Sequence, residues 1–325
     1  MQPAPLARVV RSGLEESVHL GHIAVCDADG RVVAQAGDAS HPVFSRSCIK
    51  PLQAAVSLSA IDVDQPDREV AVMCASHNGE PTHLRAVRAI LRRARAHVDS
   101  LQTPLGYPLD PDAMARARQR TRLFHNCSGK HAGMLLACSR SGWAHRTYRA
   151  RSHPLQRRIA SAVRSGTDVR DPEIGIDGCG VPVFGMPLHS MATLFARLAR
   201  PDRFGSLAPS VSRATGAMLA APYIVGGRDR LDTEIMRVAQ GQVIVKEGAE
   251  ALVCASIMTS GLGVAIKVAD GGARADEPAL VSVLQQLDAL TSAQVRAVAN
   301  FAVPPILGGV RRVGSVEPLV RLQRR

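Results

Sequence analysis

Residues 44–54 have the sequence FSRSCIKPLQA, and the lysine in this stretch, Lys50, is unusual in this chain. Of the 40 basic residues only four are lysines. A lysine amine can lose its proton when it is desolvated, whereas a guanidinium stays charged. Pro51 fits only in the first turn of a helix, so the stretch predicts a helix that begins near Lys50. Ser47 lies three residues earlier, which at helical spacing predicts a Ser–Lys pair able to generate a nucleophile without histidine.

Two further short motifs follow the Ser–Lys pair along the chain. Ser76 and Asn78 form an S-x-N motif, and Lys246 begins a K-x-G motif at the end of an apolar run. S-x-x-K, S-x-N and K-x-G in this order resemble the three motifs of penicillin-binding proteins and serine β-lactamases. His77 stands where those enzymes have Asp, and Glu247 stands where they have Thr. The architecture is therefore expected to be shared, while the substrate is left open.

Length and composition set the broad class of the protein. With 325 residues and 46% apolar content, the chain fits one large domain or two of ordinary size. No apolar run approaches 18 residues, so we expect neither a signal peptide nor a membrane span. Seven cysteines at irregular spacing do not form a disulfide framework. A reducing, cytoplasmic setting is therefore expected.

The net charge of +12 raises the possibility of a nucleic-acid partner. The densest basic segment, HLRAVRAILRRARAHV (residues 83–98), predicts an amphipathic helix with arginines along one face. Aromatic residues make up only 3% of the chain, and no nucleic-acid-binding signature is present. We therefore interpret the arginines as a solvated face and expect no nucleic-acid partner, with a non-catalytic RNA-binding protein as the alternative.

The order of predicted elements indicates an α+β fold. Residues 18–38 predict a hairpin around an Asp-Gly turn, and EVAVMCAS (69–76) predicts a buried strand. Strands are also predicted after residue 242, followed by two helices and a basic tail. Helices are predicted over much of the middle, at 83–98, 111–121, 153–165, 186–199, 208–220 and 231–239. We expect a single domain over residues 1–325, with an α/β part at about 1–80 and 240–325 and a mostly helical part at about 81–239.

Two cysteines lie in glycine-rich surroundings. Cys127 and Lys130 belong to HNCSGKHAGML, and Cys179 belongs to IDGCGVP. The glycines predict tight turns where the backbone approaches a neighbour closely. Spacing alone favours buried structural cysteines over a metal site, because a second C-x-x-C is missing. Cys26, Cys74, Cys138 and Cys254 lie in apolar patterns and are assigned to the core.

Five of these motifs, SRSCIKP, ASHNGE, CSGKHAGML, DGCGVP and VKEGAEAL, together resemble the Rhizobium-type, or asparaginase II-like, L-asparaginase family. The resemblance implies a fold like that of serine β-lactamases and glutaminases, with an antiparallel sheet, helices on both sides of it and a further helical region. It also implies a homodimer that hydrolyses the small molecule L-asparagine to L-aspartate and ammonia.

The resemblance also implies roles for individual residues. The catalytic residues would be Ser47, Lys50, Ser76 and Lys246. It implies an unusual zinc site formed by Cys127, Lys130 and Cys179, which reverses the expectation from spacing alone. The substrate-binding residues that we predict are Arg46, Asn78, Asp177, Arg230 and Asp232. Which serine attacks, which lysine is the base and what the zinc does are left open, as is a glutaminase or another amidohydrolase on the same scaffold.

Overall fold

The structure is a computed structural model that describes residues 2–61 and 64–325. Most strands lie near the two ends of the chain, and most helices lie in its middle. The strands are β1 Ala4–Arg11, β2 Leu14–Cys26, β3 Val32–Ala36, β4 Pro42–Phe44, β5 Glu173–Ile176, β6 Pro182–Pro187, β7 Val243–Gly248, β8 Leu252–Ile257, β9 Leu262–Val268, β10 Pro305–Gly308, β11 Arg311–Pro318 and β12 Gln323–Arg324.

Most helices lie between β4 and β7. The α-helices are α1 Lys50–Leu58, α2 Asp67–Cys74, α3 Pro81–Arg93, α4 Pro111–Arg116, α5 Ser128–Ser141, α6 Pro154–Thr167, α7 Leu188–Leu198, α8 Ala208–Ala220, α9 Pro222–Val225, α10 Leu231–Val238, α11 Asp276–Gln286, α12 Ser292–Ala297 and α13 Ala299–Ala302. Short 3₁₀ segments cover Arg46–Ile49, Val98–Ser100, His145–Thr147 and Pro201–Leu207.

Contacts between residues divide the chain into two compact units. Unit 1 comprises Met1–Cys48, Met186–Arg200 and Glu234–Arg325, and unit 2 comprises Ile49–Gly185 and Pro201–Thr233. We describe each by itself. The single domain with its two parts stays a prediction.

Unit 1 is built on an antiparallel sheet with the order β10-β11-β1-β2-β9-β8-β7, and β3 pairs with both β2 and β12. Every residue of β8 is buried, as expected for a strand that is covered on both faces. Helices α7 and α11 both pack against the sheet. Gly263 lets α7 come close, because a Cβ there would lie 1.9 Å from the carbonyl oxygen of Ala192. These features confirm the predicted α+β class.

Unit 2 is a cluster of helices around α5. Residues 128–138 of α5 are all buried, and α1, α2, α3 and α6 pack against this helix. Two glycines bring α5 close to α2. A Cβ on Gly129 would lie 2.1 Å from the carbonyl oxygen of Val72, and one on Gly133 would lie 2.5 Å from Cε of Met73. The β5–β6 hairpin also belongs to this unit up to Gly185.

Several local predictions are confirmed. The β2–β3 hairpin closes through a turn in which Asp27 Oδ1 accepts from the backbone N–H groups of Asp29 and Arg31. Helix α1 begins at Lys50 with Pro51 in its first turn. Helix α3 carries the predicted arginine face, with its arginines exposed. Cys26, Cys74, Cys138 and Cys254 are buried in the core. In the described part of the chain, the helices fall short of the length and apolarity that a membrane crossing requires.

Two local predictions are wrong, and one segment for which no element was predicted forms strands. The segment EVAVMCAS forms helix α2, because an unbroken apolar run fits a buried helix as well as a buried strand, and acidic residues Asp67 and Glu69 mark a helix start. The glycines of CSGKHAGML lie within α5 rather than in a turn, although the close approach predicted from them is present. The basic tail forms strands β10 to β12. Most of their residues are exposed or half-buried, so the sequence lacks the clear alternation of apolar and polar residues that indicates a strand.

Candidate active site

A buried lysine and a buried serine meet in unit 2. Lys50 is the first residue of α1 and is fully buried. Its amine lies 2.8 Å from the hydroxyl oxygen of Ser76 and donates to the carbonyl oxygen of Ala75 at 2.6 Å. A hydroxyl both donates and accepts, so a proton can pass between Ser76 and the amine. The structure thus brings together two of the predicted catalytic residues, Lys50 and Ser76.

The end of α9 and the residues that follow it contact Ser76 and Asn78. The backbone N–H of Ser76 donates to the Val225 carbonyl at 3.0 Å, and that of Asn78 donates to the Gly226 carbonyl at 2.9 Å. The guanidinium of Arg230 donates to Asn78 Oδ1 at 3.0 Å and lies 3.4 Å from the carbonyl oxygen of Ser76. Two predicted substrate-binding residues, Asn78 and Arg230, therefore lie beside Ser76.

The predicted residue Asp232 is fully buried near this segment. Its Oδ1 accepts from the backbone N–H of Thr233 at 3.1 Å. A Cβ on Gly226 would lie 2.2 Å from the same oxygen, so the carboxylate packs directly against the backbone that borders Ser76. These contacts assign Asp232 to the support of the segment, and substrate binding by it stays a prediction.

The predicted residues Ser47 and Lys246 belong to unit 1. Lys246 is fully buried and lies within β7. Cys48, which follows the half-buried Ser47, donates through its thiol to the Lys246 carbonyl at 3.1 Å. The 3₁₀ segment that carries Ser47 thus packs on β7 within unit 1. Its first residue, Arg46, has a φ of 42° and an ion pair with Glu250 at 3.8 Å.

A second polar cluster in unit 2 joins α5 to the loop between β5 and β6. The amine of Lys130 lies 3.1 Å from the sulfur of Cys179, whose thiol lies 3.4 Å from Oδ2 of Asp177. A hydrogen bond from Cys179 holds the pKa of the Cys127 thiol well below its ordinary value, and raises that of Cys179 itself. Burial lowers the pKa of Lys130, but the neighbouring thiols outweigh it and raise the pKa. These directions favour the deprotonated form of Cys127 and the charged form of Lys130.

The donors of this cluster fit the zinc ion that the family resemblance implies. In a tetrahedral zinc site, a nitrogen and a sulfur ligand lie about 3.5 Å apart, close to the 3.1 Å between Lys130 and Cys179. Within residues 2–61 and 64–325, no group of three or more His, Cys, Asp or Glu side chains is arranged to hold a metal. A zinc bound by Cys127 and Cys179 would therefore need the Lys130 amine as its third protein ligand, after loss of the lysine proton.

Two adjoining cavities open beside Asn78 in unit 2. One, of about 400 Å³, is lined by Asn78, Arg230 and Arg228 together with Asp110 and Asp112. The other, of about 340 Å³, is more apolar and shares the last three of these residues. The guanidinium of Arg228 donates to Asp110 and to Asp112, each at 2.7 Å, and so stands between the cavities. The first cavity is large enough for an amino acid.

Sequence reasoning missed three residues of this region. Arg228 has the ion pairs just described, and Glu80 and Tyr223 contact each other through a hydrogen bond from the tyrosine hydroxyl. The motif ASHNGE includes Glu80, but its partners lie more than 140 residues away along the chain, and no local pattern predicts such contacts. His77 was noted only as a departure from the β-lactamase motif; it is buried, with Nε2 at 2.9 Å from Ser128 Oγ.

Comparison with known families decides where this site belongs. The family model described as L-asparaginase II matches residues 7–318. The chain belongs to the L-asparaginase II family. Membership confirms the resemblance inferred from the five motifs and makes the chain a member of a family of amidohydrolases. No curated protein matches the chain.

Two solved structures have a partial likeness to the chain. A β-lactamase from Mycobacterium bovis is 18% identical with a TM-score of 0.46, over 83% of this chain and 95% of its own. A mutant simvastatin synthase from Aspergillus terreus is 13% identical with a TM-score of 0.38, over 76% of this chain and 86% of its own.

Proposed function

We propose that the protein hydrolyses the side-chain amide of L-asparagine to L-aspartate and ammonia through an acyl-enzyme on a serine. The observation that carries this proposal is the buried contact of 2.8 Å between Lys50 Nζ and Ser76 Oγ. It places an amine that can lose its proton against a serine hydroxyl inside a member of an amidohydrolase family.

Ser47 and Lys50 form the proposed nucleophile pair. Neutral Lys50 takes the proton of the Ser47 hydroxyl as this oxygen attacks the amide carbonyl. Ser76 then relays that proton from Lys50 to the departing ammonia, and Lys246 assists by its charge. Water enters and hydrolyses the ester with the same groups acting in reverse. The contact of Lys50 with Ser76 supports the relay.

Recognition of the amino acid is proposed for the 400 Å³ cavity. Arg230 suits the α-carboxylate of the substrate, because a guanidinium forms paired hydrogen bonds with a carboxylate. Asn78 offers an amide that both donates and accepts. Arg46 and Asp177 are proposed as further contacts from their positions in the family motifs.

We also propose zinc as a resident metal, held by Cys127, Lys130 and Cys179. When bound, zinc would supply positive charge that orients the substrate or lowers the pKa of a water molecule. Asp177, whose Oδ2 lies 3.4 Å from the Cys179 sulfur, would then hold a water or a substrate ammonium by hydrogen bonding. A homodimer in the cytoplasm is part of the same proposal, and the seven free thiols are in keeping with a reducing compartment.

Ammonia release from purified protein tests the proposal. L-asparagine, L-glutamine and a chromogenic β-lactam are supplied in parallel, with Ser76→Ala as the inactive control. Release from asparagine that exceeds release from glutamine at least tenfold is expected. Turnover of glutamine or of the β-lactam in preference would indicate another hydrolase on this scaffold, and salt-sensitive RNA binding with no turnover would indicate an RNA-binding protein instead.

A further inference from the structure

One carboxylate in unit 2 holds both ends of a loop. Glu80 is the residue before α3 and is buried, with 8% of its surface exposed. Its Oε1 accepts from the backbone N–H of Arg228 at 3.0 Å, and its Oε2 accepts from the hydroxyl of Tyr223. Both oxygens of Glu80 therefore contact the segment Tyr223–Arg228, one at each end.

This segment is the one that borders Ser76. Between its two ends, the carbonyls of Val225 and Gly226 accept from the backbone N–H groups of Ser76 and Asn78. The Arg228 carbonyl accepts from the side-chain amide of Asn78 at 2.9 Å. The position of the Ser76 backbone is thus tied to the Tyr223–Arg228 segment, and the segment is tied to Glu80.

The backbone next to the carboxylate leaves no room for another arrangement. Gly227 has a φ of 113°, a value that L side chains rarely adopt, and a Cβ there would lie 2.3 Å from Glu80 Oε1. Burial, and then the hydrogen bond with Glu80, raise the pKa of Tyr223 from 10.0 to about 12. Tyr223 therefore keeps its proton and its donor role at neutral pH.

We propose that Glu80 is a positioning residue for the reaction, which acts through the Tyr223–Arg228 segment to fix the Ser76 hydroxyl against the Lys50 amine and Arg230 against Asn78. The inference rests on the proposed function, since it assigns Glu80 a part in that reaction. Glu80 contacts neither Ser76 nor Lys50 through its carboxylate in the hydrogen bonds described above, and its proposed effect on turnover passes through the segment.

Three variants separate this role from a purely structural one. Glu80→Ala removes both contacts with the segment. Tyr223→Phe removes only the hydroxyl contact and leaves Glu80 in place, including its capping contacts with His83 in the first turn of α3. Glu69→Ala is the matched control, because Glu69 is also a buried carboxylate of unit 2 but pairs with Arg93 of α3 and not with the Tyr223–Arg228 segment.

Kinetics and hydrogen exchange are measured on all three variants at a temperature well below their melting points. We expect kcat to fall about tenfold to a hundredfold in Glu80→Ala, as small misplacements of reacting groups do. Tyr223→Phe should show an intermediate loss, and Glu69→Ala should keep its kcat within about threefold. Amide exchange at Ser76 and Asn78 should quicken in Glu80→Ala and not in Glu69→Ala.

Each outcome decides for or against the proposal. Unchanged exchange at Ser76 and Asn78 in both Glu80→Ala and Tyr223→Phe overturns it, as does an equal kcat loss in Glu80→Ala and Glu69→Ala. Should Glu80→Ala not fold, Tyr223→Phe alone carries the test. If the wild type hydrolyses no amide but exchange still quickens at Ser76 and Asn78 in Glu80→Ala, then Glu80 does position the segment and the proposed function is wrong.

Discussion

Lys50 and Ser76 are held together by more than their own contact, because the Lys50 amine also donates to the carbonyl of Ala75, the residue before Ser76. A carbonyl can only accept, so this second hydrogen bond fixes the direction of the amine and leaves the Ser76 hydroxyl free to give or take a proton. The pair is thus oriented by the backbone of the very segment that carries the serine.

Replacing Lys50 tests whether a free amine is needed. Lys50→Arg keeps the charge but removes a group that can lose its proton, so we expect at least a thousandfold loss of kcat with asparagine. Lys267→Arg is the matched control, since Lys267 also lies in a largely buried strand, β9, and should retain turnover. Near-normal activity of Lys50→Arg would rule out Lys50 as the base and make it a charge holder.

Zinc content tests the cluster of Lys130 with the two cysteines. We expect about one zinc per chain in the purified protein and strongly reduced zinc in Cys127→Ser and Cys179→Ser, measured by elemental analysis. Cys138 is also a buried cysteine and lies on α5, the helix that carries Lys130, so Cys138→Ser should keep its zinc. Because thiolates and a neutral amine are required, retention should decrease as the pH falls. Full zinc content in both Cys127→Ser and Cys179→Ser would show that these cysteines are structural core residues and not zinc ligands.

The close packing of α5 on α2 predicts a contrast between two helical glycines. Gly129→Ala would place a methyl group against the Val72 carbonyl, so we expect the free energy of unfolding to fall by about 1–3 kcal/mol. Gly216→Ala, within α8 and with open space around its Cβ, should instead stabilise the protein by up to about 1 kcal/mol. Denaturant unfolding measures both, and equal effects would contradict the packing.

Acid should destabilise the protein below about pH 6.5. Burial, then the charges of His83 and Lys50, hold the pKa of His77 well below its ordinary 6.5. Between 6.5 and the lower native pKa, the unfolded chain binds a proton that the native protein does not, so stability falls as the pH falls. The slope is about 1.4 kcal/mol per pH unit for each such histidine.

Unfolding curves from pH 7.5 to 5 check this expectation. His77→Gln should reduce the slope of the free energy of unfolding against pH by up to about 1.4 kcal/mol per pH unit, the value for one proton. His97 is exposed, so His97→Gln should leave the slope unchanged. A slope that is the same in wild type and His77→Gln would show that His77 takes up its proton in the native state.

The outcome for individual residues shows what sequence reasoning can reach. Ser47 and Lys50 were predicted as a pair because such chemistry depends on close spacing. The start of α1 at Lys50 confirms the predicted helix, while the pairing of the two residues stays a prediction. The segment EVAVMCAS was assigned to a strand because a fully buried element loses the periodicity that tells helix from strand. Glu80 contacts Tyr223 and Arg228 only because tertiary packing brings together segments that are far apart in the chain. No local sequence pattern predicts such a contact.

The sheet of unit 1 places an early strand beside a late one, since Ala7 of β1 pairs with Pro318 of β11. At ribosomal rates of about 5–20 residues per second, roughly 15–60 s pass between the emergence of these partners. During most of this interval only β1, β2 and β3 of the sheet are available to one another, and the edge of β1 that pairs with β11 stays open to hydrogen bonding with other chains. The nascent chain therefore has a waiting period in which the native sheet does not yet protect its first strand from aggregation.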